Sequence, residues 1–373
     1  MILGLLPSIR GGLAEAARTG QHTRLIDAYL RPYAAAFDEV RYFSYLRERL
    51  EDYTADAPLL ARTRLIPGRG WHPWLYTLAM PLLHARVLAG CSVLRVFQAL
   101  GAMPAVIARR RHGVPFVTTY GFWYTRLAGS PATRVLRGVV ERLALASADA
   151  VIVTTPELGR AVAARVPAGR IHLIPNGVDT TLFRPAPRPR SGPRTIVYVG
   201  RLSPEKNLPT LVDAVAKLTG RFDVRVMLVG GGPVRPALEA QARALNVDLA
   251  VVDFVDHRSV PALLASADAF VLPSFTEGHP KSLLEAMSCG LPCVASDVSG
   301  NRAIVTDGET GLLFDPADPG ALASRLEQVL TREDETRRLG ERGRAAVLAR
   351  YDLTALVSRE IDLLRRVAMA GVP

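Results

Sequence analysis

The hydrophobic residues in the second half of the chain fall in short runs separated by amphipathic stretches. Short apolar runs bounded by glycine or proline are typical of buried strands, and apolar residues spaced three or four apart are typical of helices. The pattern therefore predicts alternating strands and helices. The predicted strands are 196–199, 225–229, 250–254, 269–272 and 293–295, and the predicted helices begin at Leu208, Pro233, Val260 and Lys281.

The first half of the chain has a similar alternation. Its predicted strands are 2–6, 39–45, 93–97, 114–119, 150–154 and 172–174, its predicted helices are 13–30 and 103–110, and 47–53 is a charged helix or loop. Two such series predict an α/β protein with two doubly wound, Rossmann-like parallel-sheet domains that face each other across a cleft.

A linker is predicted at 184–194, because alternating proline and arginine cannot form a core. The expected domains are residues 1–187 and 188–350, and a last helix within 351–373 is expected to pack back toward the first domain.

One segment, 270–296, predicts a strand, a polar loop, a helix and a second strand. Pro280 opens the helix, where its missing N–H costs nothing. The N–H groups from Lys281 to Leu283 then form an anion site that suits phosphate. Glu277 lies beside this site, and Glu285 lies about 7 Å further along the helix axis. Two carboxylates around an anion site suit a ligand with a central diphosphate and hydroxyls at both ends, such as a nucleotide-sugar.

The loop 200–207 follows another predicted strand and contains Arg201 and Lys206. Two cations in such a loop suit a diphosphate, and an ordinary charged loop is the alternative. Glycines after three strands either let the backbone approach a ligand or form tight turns. They are Gly11, Gly12, Gly200 and Gly230.

Two aromatic segments each have two interpretations. Residues 120–124 follow a strand, so Tyr120 and Trp123 belong either to an acceptor platform or to a packing cluster. Residues 70–85 are uncharged and include Trp71 and Trp74, but these 16 residues are too few to cross a bilayer. They predict a core helix or an interfacial helix.

Composition and charge narrow the function classes. The 373 residues are 49% hydrophobic and 22% charged, which is typical of a globular protein. Cys91, Cys289 and Cys293 have no metal-binding spacing and predict a reducing cytoplasm. No HExxH, CxxC, GxSxG or P-loop motif occurs, so zinc hydrolase, serine hydrolase and NTPase functions lack support.

The positive charge lies in the first half. Residues 1–190 contain 25 arginines, no lysine and 12 acidic residues, whereas residues 191–373 have 21 basic and 23 acidic residues. This asymmetry predicts contact with nucleic acid or an anionic membrane, and an arginine-rich composition is the alternative.

Five motifs together resemble the retaining glycosyltransferases of the GT-B fold, glycosyltransferase family 4 (glycosyl transferases group 1). They are VGRLSPEKN at 199–207, LVGGGP at 228–233, LPSFTEGHPKSLLEAMSCGLPCVAS at 272–296, DGETGLLF at 307–314 and IPNGVD at 174–179. The resemblance covers almost all of the C-terminal half, and the spacing of Glu277 and Glu285 is specific in this context.

The resemblance implies that the first domain binds the acceptor and the second binds the nucleotide-sugar. Arg201 and Lys206 would neutralise the diphosphate, and Glu277 would hold the donor sugar. Glu285 would bind the ribose hydroxyls. The implied catalytic residues are Glu277, Arg201 and Lys206, the donor-binding residues are Gly11, Gly12, Gly200, Gly230, Gly278, His279, Pro280, Lys281, Ser282, Leu283 and Glu285, and the acceptor-side residues are Tyr120 and Trp123.

The implied reaction moves a hexosyl group from a UDP- or GDP-sugar to a glycan or glycolipid, with retention of configuration, in polysaccharide biosynthesis. No metal or other cofactor is expected, and nucleic acid is not an expected partner. The expected location is cytoplasmic, with peripheral attachment to the inner face of the cell membrane as an option. The alternatives are a nucleotide-sugar 2-epimerase and a non-catalytic nucleotide-sugar-binding subunit.

Two departures from the family pattern concern the site. Thr118–Gly121 replaces a loop that often contains a histidine, and Ser299-Gly300-Asn301-Arg302 replaces a Gly-Gly-x-Pro-Glu stretch. The first affects the expected contact with the donor sugar, and the second removes a carboxylate.

Overall fold

The computed structural model describes residues 1–123, 130–187 and 192–371. Contacts divide the chain into two compact units, Met1–Pro175 with Ala355–Pro373, and Asn176–Thr354. The segment predicted to be a linker, 184–194, belongs to the second unit, and its residues 188–191 lie outside the described residues. Most of the last helix, Leu353–Ala370, belongs to the first unit.

A seven-stranded parallel sheet forms the centre of the first unit, with strand order β3-β2-β1-β4-β5-β6-β7. Its strands are β1 (Ile2–Leu6), β2 (Glu39–Phe43), β3 (Thr63–Ile66), β4 (Val93–Val96), β5 (Phe116–Tyr120), β6 (Ala150–Val153) and β7 (Ile171–Leu173). The strands β4 and β6, which each have a neighbour on both sides, are buried at every position, as expected where helices cover both faces of a parallel sheet.

Nine α-helices precede the end of this sheet among the described residues. They are α1 (Leu13–Arg18), α2 (His22–Leu25), α3 (Arg31–Ala36), α4 (Ala57–Arg62), α5 (Pro73–Leu83), α6 (Ala85–Ala89), α7 (Met103–His112), α8 (Pro131–Ser147) and α9 (Pro156–Ala163). The single helix predicted over 13–30 is wrong. It is broken at Gly20, whose φ of +69° is left-handed, and it resumes as α2 and a π-helical segment, Ile26–Leu30.

A six-stranded parallel sheet forms the centre of the second unit, with strand order β10-β9-β8-β11-β12-β13. Its strands are β8 (Arg194–Val199), β9 (Val224–Val229), β10 (Asp248–Val252), β11 (Ala269–Leu272), β12 (Cys293–Ser296) and β13 (Leu312–Phe314). Its helices are α10 (Leu208–Ala216), α11 (Arg235–Ala244), α12 (Val260–Ala265), α13 (Lys281–Ser288), α14 (Ser299–Arg302), α15 (Pro319–Thr331) and α16 (Glu333–Arg350), and α17 is the last helix, Leu353–Ala370.

Each unit has its own hydrophobic core. The two parallel sheets with helices between their strands confirm the prediction of two doubly wound α/β domains. None of the helices in the described ranges is long and apolar enough to cross a membrane.

Candidate donor site

In the second sheet, β9 and β10 lie on one side of β8 and the later strands lie on the other. This reversal of strand order places two loops of the second unit side by side. β8 and β11 are neighbours in the sheet, although β9 and β10 lie between them in sequence. Ligands of doubly wound sheets bind at this position, outside the carboxyl ends of the strands. The loop after β8 contains Arg201 and Lys206, and the loop after β11 contains Glu277. The fold therefore places the loop that contains Arg201 and Lys206 next to the loop that contains Glu277.

Direct hydrogen bonds join these two loops. The Phe275 amide donates to the Glu205 carbonyl at 2.9 Å. The buried side chain of Asn207 donates to the carbonyls of Pro273 at 3.1 Å and Pro316 at 2.8 Å. Asn207 has a left-handed φ of +53°, which asparagine tolerates better than most residues. These hydrogen bonds hold the two loops in a fixed position relative to each other without a ligand.

Lys206 and Glu277 form the central ion pair of the site. Lys206 Nζ lies 2.7 Å from Glu277 Oε1, and Ser274 Oγ donates to the same oxygen at 2.7 Å. The Glu277 side chain is 8% exposed and that of Lys206 is 22% exposed. This carboxylate is therefore buried and is oriented by two donors, whereas the Lys206 side chain is partly exposed.

Arg201 differs from Lys206 because it is exposed, and its side chain makes no hydrogen bond or ion pair with any residue in the described ranges. Its carbonyl accepts a hydrogen bond from the Tyr198 hydroxyl at 2.9 Å, which fixes the backbone at this point. The guanidinium is thus positioned at the loop surface and can bind an anionic ligand without breaking an internal contact.

Two glycines are required where backbones approach closely. Gly230 has a φ of +132°, and a Cβ there would lie 2.1 Å from the Gly200 carbonyl oxygen. At Gly300 a Cβ would lie 2.4 Å from the Glu277 carbonyl oxygen. Gly200 and Gly230 therefore pack the loops after β8 and β9 together. Gly300 lies in the Ser299–Arg302 stretch that departs from the family pattern, and its backbone packs directly against the carbonyls of Glu277 and Gly278.

The start of α13 carries the features expected of an anion site. Pro280 is the N-cap residue of this eight-residue helix, and no side chain caps it. The first amides of a helix lack intrahelical acceptors and attract negative charge. Ser282 and Lys281 are half-buried in this first turn, and Leu283 is buried in the core beneath it.

His279 is buried directly before this helix. Burial, and then the nearby Lys281, lower the pKa of His279 to about 3, so its ring is neutral near pH 7. Asn176 donates to its carbonyl at 2.7 Å, and its ring contacts the edge of Tyr351 at 5.2 Å between centroids. Its Nδ1 has no hydrogen-bond partner among the described residues.

Glu285 lies deeper in the second unit and is paired with a residue that the sequence did not point to. His257 Nε2 lies 3.0 Å from Glu285 Oε1, and both side chains are buried. The Phe183 ring packs against His257 at 5.1 Å between centroids. His257 follows β10 and therefore lies in a loop at the carboxyl end of a strand, where ligands bind. This position in the sequence could have identified it as a candidate site residue. Ser274 and Asn207 were likewise missed as supporting residues.

The remaining predicted residues belong to the first unit. Gly11 and Gly12 follow β1 and lead into α1, whose first amides, Leu13 and Ala14, donate to the Glu48 carboxylate at 2.9 and 2.7 Å. An internal carboxylate therefore occupies the helix start that follows the glycine pair.

Tyr120 is buried in the first unit. Its hydroxyl donates to Glu141 at 3.3 Å, and its ring contacts Trp123 edge-on at 6.4 Å between centroids. Burial raises the pKa of Glu141, despite the nearby Arg165. The structure thus places Tyr120 in a packing cluster with Trp123, and Tyr124 lies outside the described residues.

The stretch Thr118–Gly121, which replaces a loop that often contains histidine in the family, begins inside β5, where Thr118 is buried and its hydroxyl has no hydrogen-bond partner within the described ranges. Those ranges also hold no group of three or more His, Cys, Asp and Glu side chains arranged for a metal ion.

Comparison with known families gives two matches that adjoin along the chain. Residues 24–182 match the family described as Glycosyltransferase Family 4. Residues 179–346 match the one described as Glycosyl transferases group 1.

Curated relatives carry related descriptions. "Putative glycosyltransferase EpsD" of Bacillus subtilis is 31% identical over 281 residues, which are 70% of this chain and 73% of that protein. The alpha-D-kanosaminyltransferase of Streptomyces kanamyceticus is 31% identical over 61% of this chain and 63% of its own length. The phosphatidyl-myo-inositol mannosyltransferase of Mycobacterium tuberculosis is 36% identical over 53% of this chain and 54% of its own length. This chain thus spans less than two thirds of the last two relatives.

Solved structures resemble the chain over nearly its whole length. The sucrose-phosphate synthase of Thermosynechococcus elongatus superposes with a TM-score of 0.84 at 26% identity, covering 99% of this chain and 100% of that one. Anabaena HepE, solved in complex with UDP-glucose, superposes with a TM-score of 0.79 at 21% identity, covering 98% and 99% of the two chains. At 21% identity, the similarity to HepE shows a shared fold and no more than that.

Proposed function

This chain belongs to glycosyltransferase family 4 and has the GT-B fold, and we propose that it transfers a hexosyl group from a UDP- or GDP-sugar to a glycan or glycolipid acceptor with retention of configuration. The observation that carries the proposal is the pairing of Lys206 with Glu277 where the loops after β8 and β11 meet. A cation and an oriented carboxylate on adjoining loops suit the two sides of a sugar–phosphate bond.

The diphosphate of the donor would bind Arg201, Lys206 and the first amides of α13. Arg201 offers a planar set of donors at the loop surface, and Lys206 offers a compact charge. Negative charge grows on the diphosphate as it leaves, so donors placed at this position stabilise the transition state more than the ground state. We infer on this ground that the reaction needs no metal ion.

Glu277 would bind hydroxyls of the donor sugar. Ser274 and Lys206 both hold one of its oxygens, Oε1, which restricts the rotation of the carboxylate. Glu285, oriented by His257, would bind the ribose hydroxyls.

Relatives support the donor and acceptor classes. HepE is described in complex with UDP-glucose, and the mycobacterial relative is described as a phosphatidyl-myo-inositol mannosyltransferase. A nucleotide-sugar donor and a lipid-linked or free glycan acceptor are therefore the first substrates to test for this chain. We propose that the reaction serves polysaccharide or glycolipid synthesis in the cytoplasm.

The test has two steps. UDP, GDP and ADP are first screened by thermal shift, since a ligand at 100 times its Kd adds about 2.7 kcal/mol of stability. The protein is then incubated with radiolabelled UDP-glucose and GDP-mannose, with and without lipid acceptors and with EDTA. We expect label in an acceptor in the presence of EDTA, and NMR of the product should show the donor's anomeric configuration.

Three results would overturn the proposal. An isomerised sugar formed without acceptor would indicate an epimerase. Nucleotide binding without any product would indicate a binding subunit. A strict requirement for magnesium or manganese would refute the metal-free mechanism.

A further inference from the structure

Three helices of the first unit form one layer beside its sheet. α5 packs against α7, and α7 packs against α8. Their inner faces contribute to the same hydrophobic core, which includes Tyr76 and Met80 from α5, Ala105 from α7 and Leu145 from α8. The outer faces of these helices point away from this core, and we refer to them together as the α5–α8 face.

Large apolar side chains are exposed on α5. Its buried side carries Tyr76 and Met80, whereas its other side is 43% to 63% exposed at the positions Trp74, Leu75, Leu78 and Leu82. These positions recur at helical spacing, so they lie on one side of the helix. Trp71, which is 48% exposed, lies just before the helix.

α8 repeats the arrangement. Val135, Leu136 and Val139 are 49% to 67% exposed and also share one side of their helix. These two helices and Trp71 account for eight of the fifteen large apolar side chains that are exposed among the described residues. Single exposed apolar side chains are ordinary, but four on one side of α5 with Trp71 before it, and three on one side of α8, indicate an interaction surface.

The sequence that contains these helices is basic. Residues 69–148 contain ten arginines, no lysine and a single acidic residue, Glu141. Of the arginines, Arg95 is buried in β4 against Glu360, and Arg109 pairs with Asp149, so neither adds to the charge of the face. Glu141 is buried, and its carboxylate accepts from Tyr120 and Arg165, so it does not neutralise the surface. Arg110 and Arg111 are exposed at the end of α7, and Arg134 is exposed on α8.

We propose that the α5–α8 face binds an anionic lipid bilayer. The leucines and tryptophans of α5 enter the interfacial region with the helix lying parallel to the membrane plane, and the arginines contact lipid phosphates. Eleven residues of helix are about 16 Å long, far short of the roughly 30 Å hydrocarbon core, so α5 lies on the bilayer. Indole side chains favour this interfacial depth.

The combination of apolar and basic side chains selects this partner. Nucleic acid would contact the arginines but offers no apolar surface to cover the exposed leucines and valines. A bilayer satisfies both, since apolar side chains are buried below the headgroups while basic ones stay at them. The proposal concerns the first unit alone and does not depend on the reaction proposed for the second.

Vesicle flotation tests the proposal. The full chain is mixed with vesicles of phosphatidylcholine alone or with an equal amount of phosphatidylglycerol, at 20 mM and 500 mM NaCl. We expect binding to the anionic vesicles at low salt and a large loss at high salt, because the Debye length falls from about 20 Å to about 4 Å. Neutral vesicles should bind much less.

Variants separate the apolar and basic contributions. Leu75→Gln with Leu78→Gln should lower partitioning by roughly tenfold. Arg110→Glu with Arg134→Glu should lower it by about 25-fold or more, since one basic residue near an anionic surface contributes about fivefold. The matched controls, Leu348→Gln and the pair Arg243→Glu with Arg338→Glu, change exposed residues of the second unit and should bind like wild type. Circular dichroism melting within about 3 °C of wild type establishes that each variant is folded.

Absence of the protein from both floated fractions at low salt would refute the proposal. An equal loss in the second-unit controls would also refute it, since the attraction would then come from overall charge. If sedimentation shows a dimer that Leu75→Gln with Leu78→Gln dissociates, and vesicles do not bind, a second copy of the chain covers the face and the membrane assignment is wrong.

Discussion

Replacing Glu277 with glutamine separates the charge of this carboxylate from its shape. Glutamine keeps an oxygen that can accept from Ser274 and Lys206, which both lie 2.7 Å from Glu277 Oε1. A hydrogen bond to a charged group contributes about 1.5–3 kcal/mol, and a neutral one about 1 kcal/mol. Since Lys206 is partly exposed, we expect the lower end of that difference, about 0.5 kcal/mol, for each of the two hydrogen bonds, which makes about 1 kcal/mol together. This corresponds to a fall of about 2–4 °C in the melting temperature of the second unit.

The kinetic effect should be larger than the effect on stability. Loss of the carboxylate contact to the donor sugar should lower kcat on the order of a hundredfold, which is about 2.7 kcal/mol of transition-state stabilisation. The KM for the donor should stay the same or fall, because Lys206 is no longer neutralised by Glu277 and attracts the diphosphate more strongly. Initial rates over a range of donor concentrations give both constants.

Glu205→Gln is the matched control. Glu205 is a half-buried carboxylate of the loop after β8 that accepts from Ser203 Oγ at 2.6 Å, and its replacement should leave kcat near the wild-type value. A Glu277→Gln enzyme with wild-type turnover would refute the assignment of this residue to the donor sugar. A fall of more than about 10 °C in melting temperature would show that the carboxylate mainly stabilises the fold.

The other predictions concern three residues of the second unit. Arg201→Ala should leave the free energy of unfolding within about 0.5 kcal/mol of wild type, because this side chain has no internal partner in the described ranges, yet calorimetry should show weaker nucleotide binding. His257→Ala should cost about 1–3 kcal/mol in urea denaturation and weaken nucleotide binding, since Glu285 loses a buried hydrogen bond. Between pH 6.5 and 4 the unfolded state protonates His279 while the folded state, with a pKa of about 3, does not, so this residue lowers stability by about 1.4 kcal/mol per pH unit as the pH falls. His279→Leu should therefore lose less stability than wild type over this range, and parallel pH profiles would contradict the assignment.

Elements with long apolar runs could be predicted from the sequence. The strand expected at 269–272 is Ala269–Leu272 in the structure. β3 and β13 were missed because Thr63–Ile66 includes polar positions and Leu312–Phe314 has only three residues. The break at Gly20 was missed because the apolar period continues past it.

The pairings in the candidate site could not be read from the sequence. Lys206 and Glu277 are 71 positions apart, and His257 and Glu285 are 28 positions apart. Their contacts follow from the order in which strands enter the sheet, which no local pattern determines. Likewise, the sequence left Tyr120 with two interpretations because its partner, Glu141, comes from the distant helix α8.

The assignment of α17 to the first unit has a consequence for how the protein folds during synthesis. Arg95, buried in β4, bonds to Glu360 Oε1 at 2.5 Å, and Tyr33 bonds to the same carboxylate. A ribosome adds about 5–20 residues per second, so Asn176–Thr354 delay the arrival of Glu360 by about 10–40 s. During that interval the Arg95 guanidinium lacks its carboxylate partner, and burying it unpaired would be costly. The second unit is continuous in sequence, whereas the first unit receives Glu360 only after the second has been synthesised, so we expect a nascent chain stalled before Glu360 to expose the unfinished first unit to chaperones.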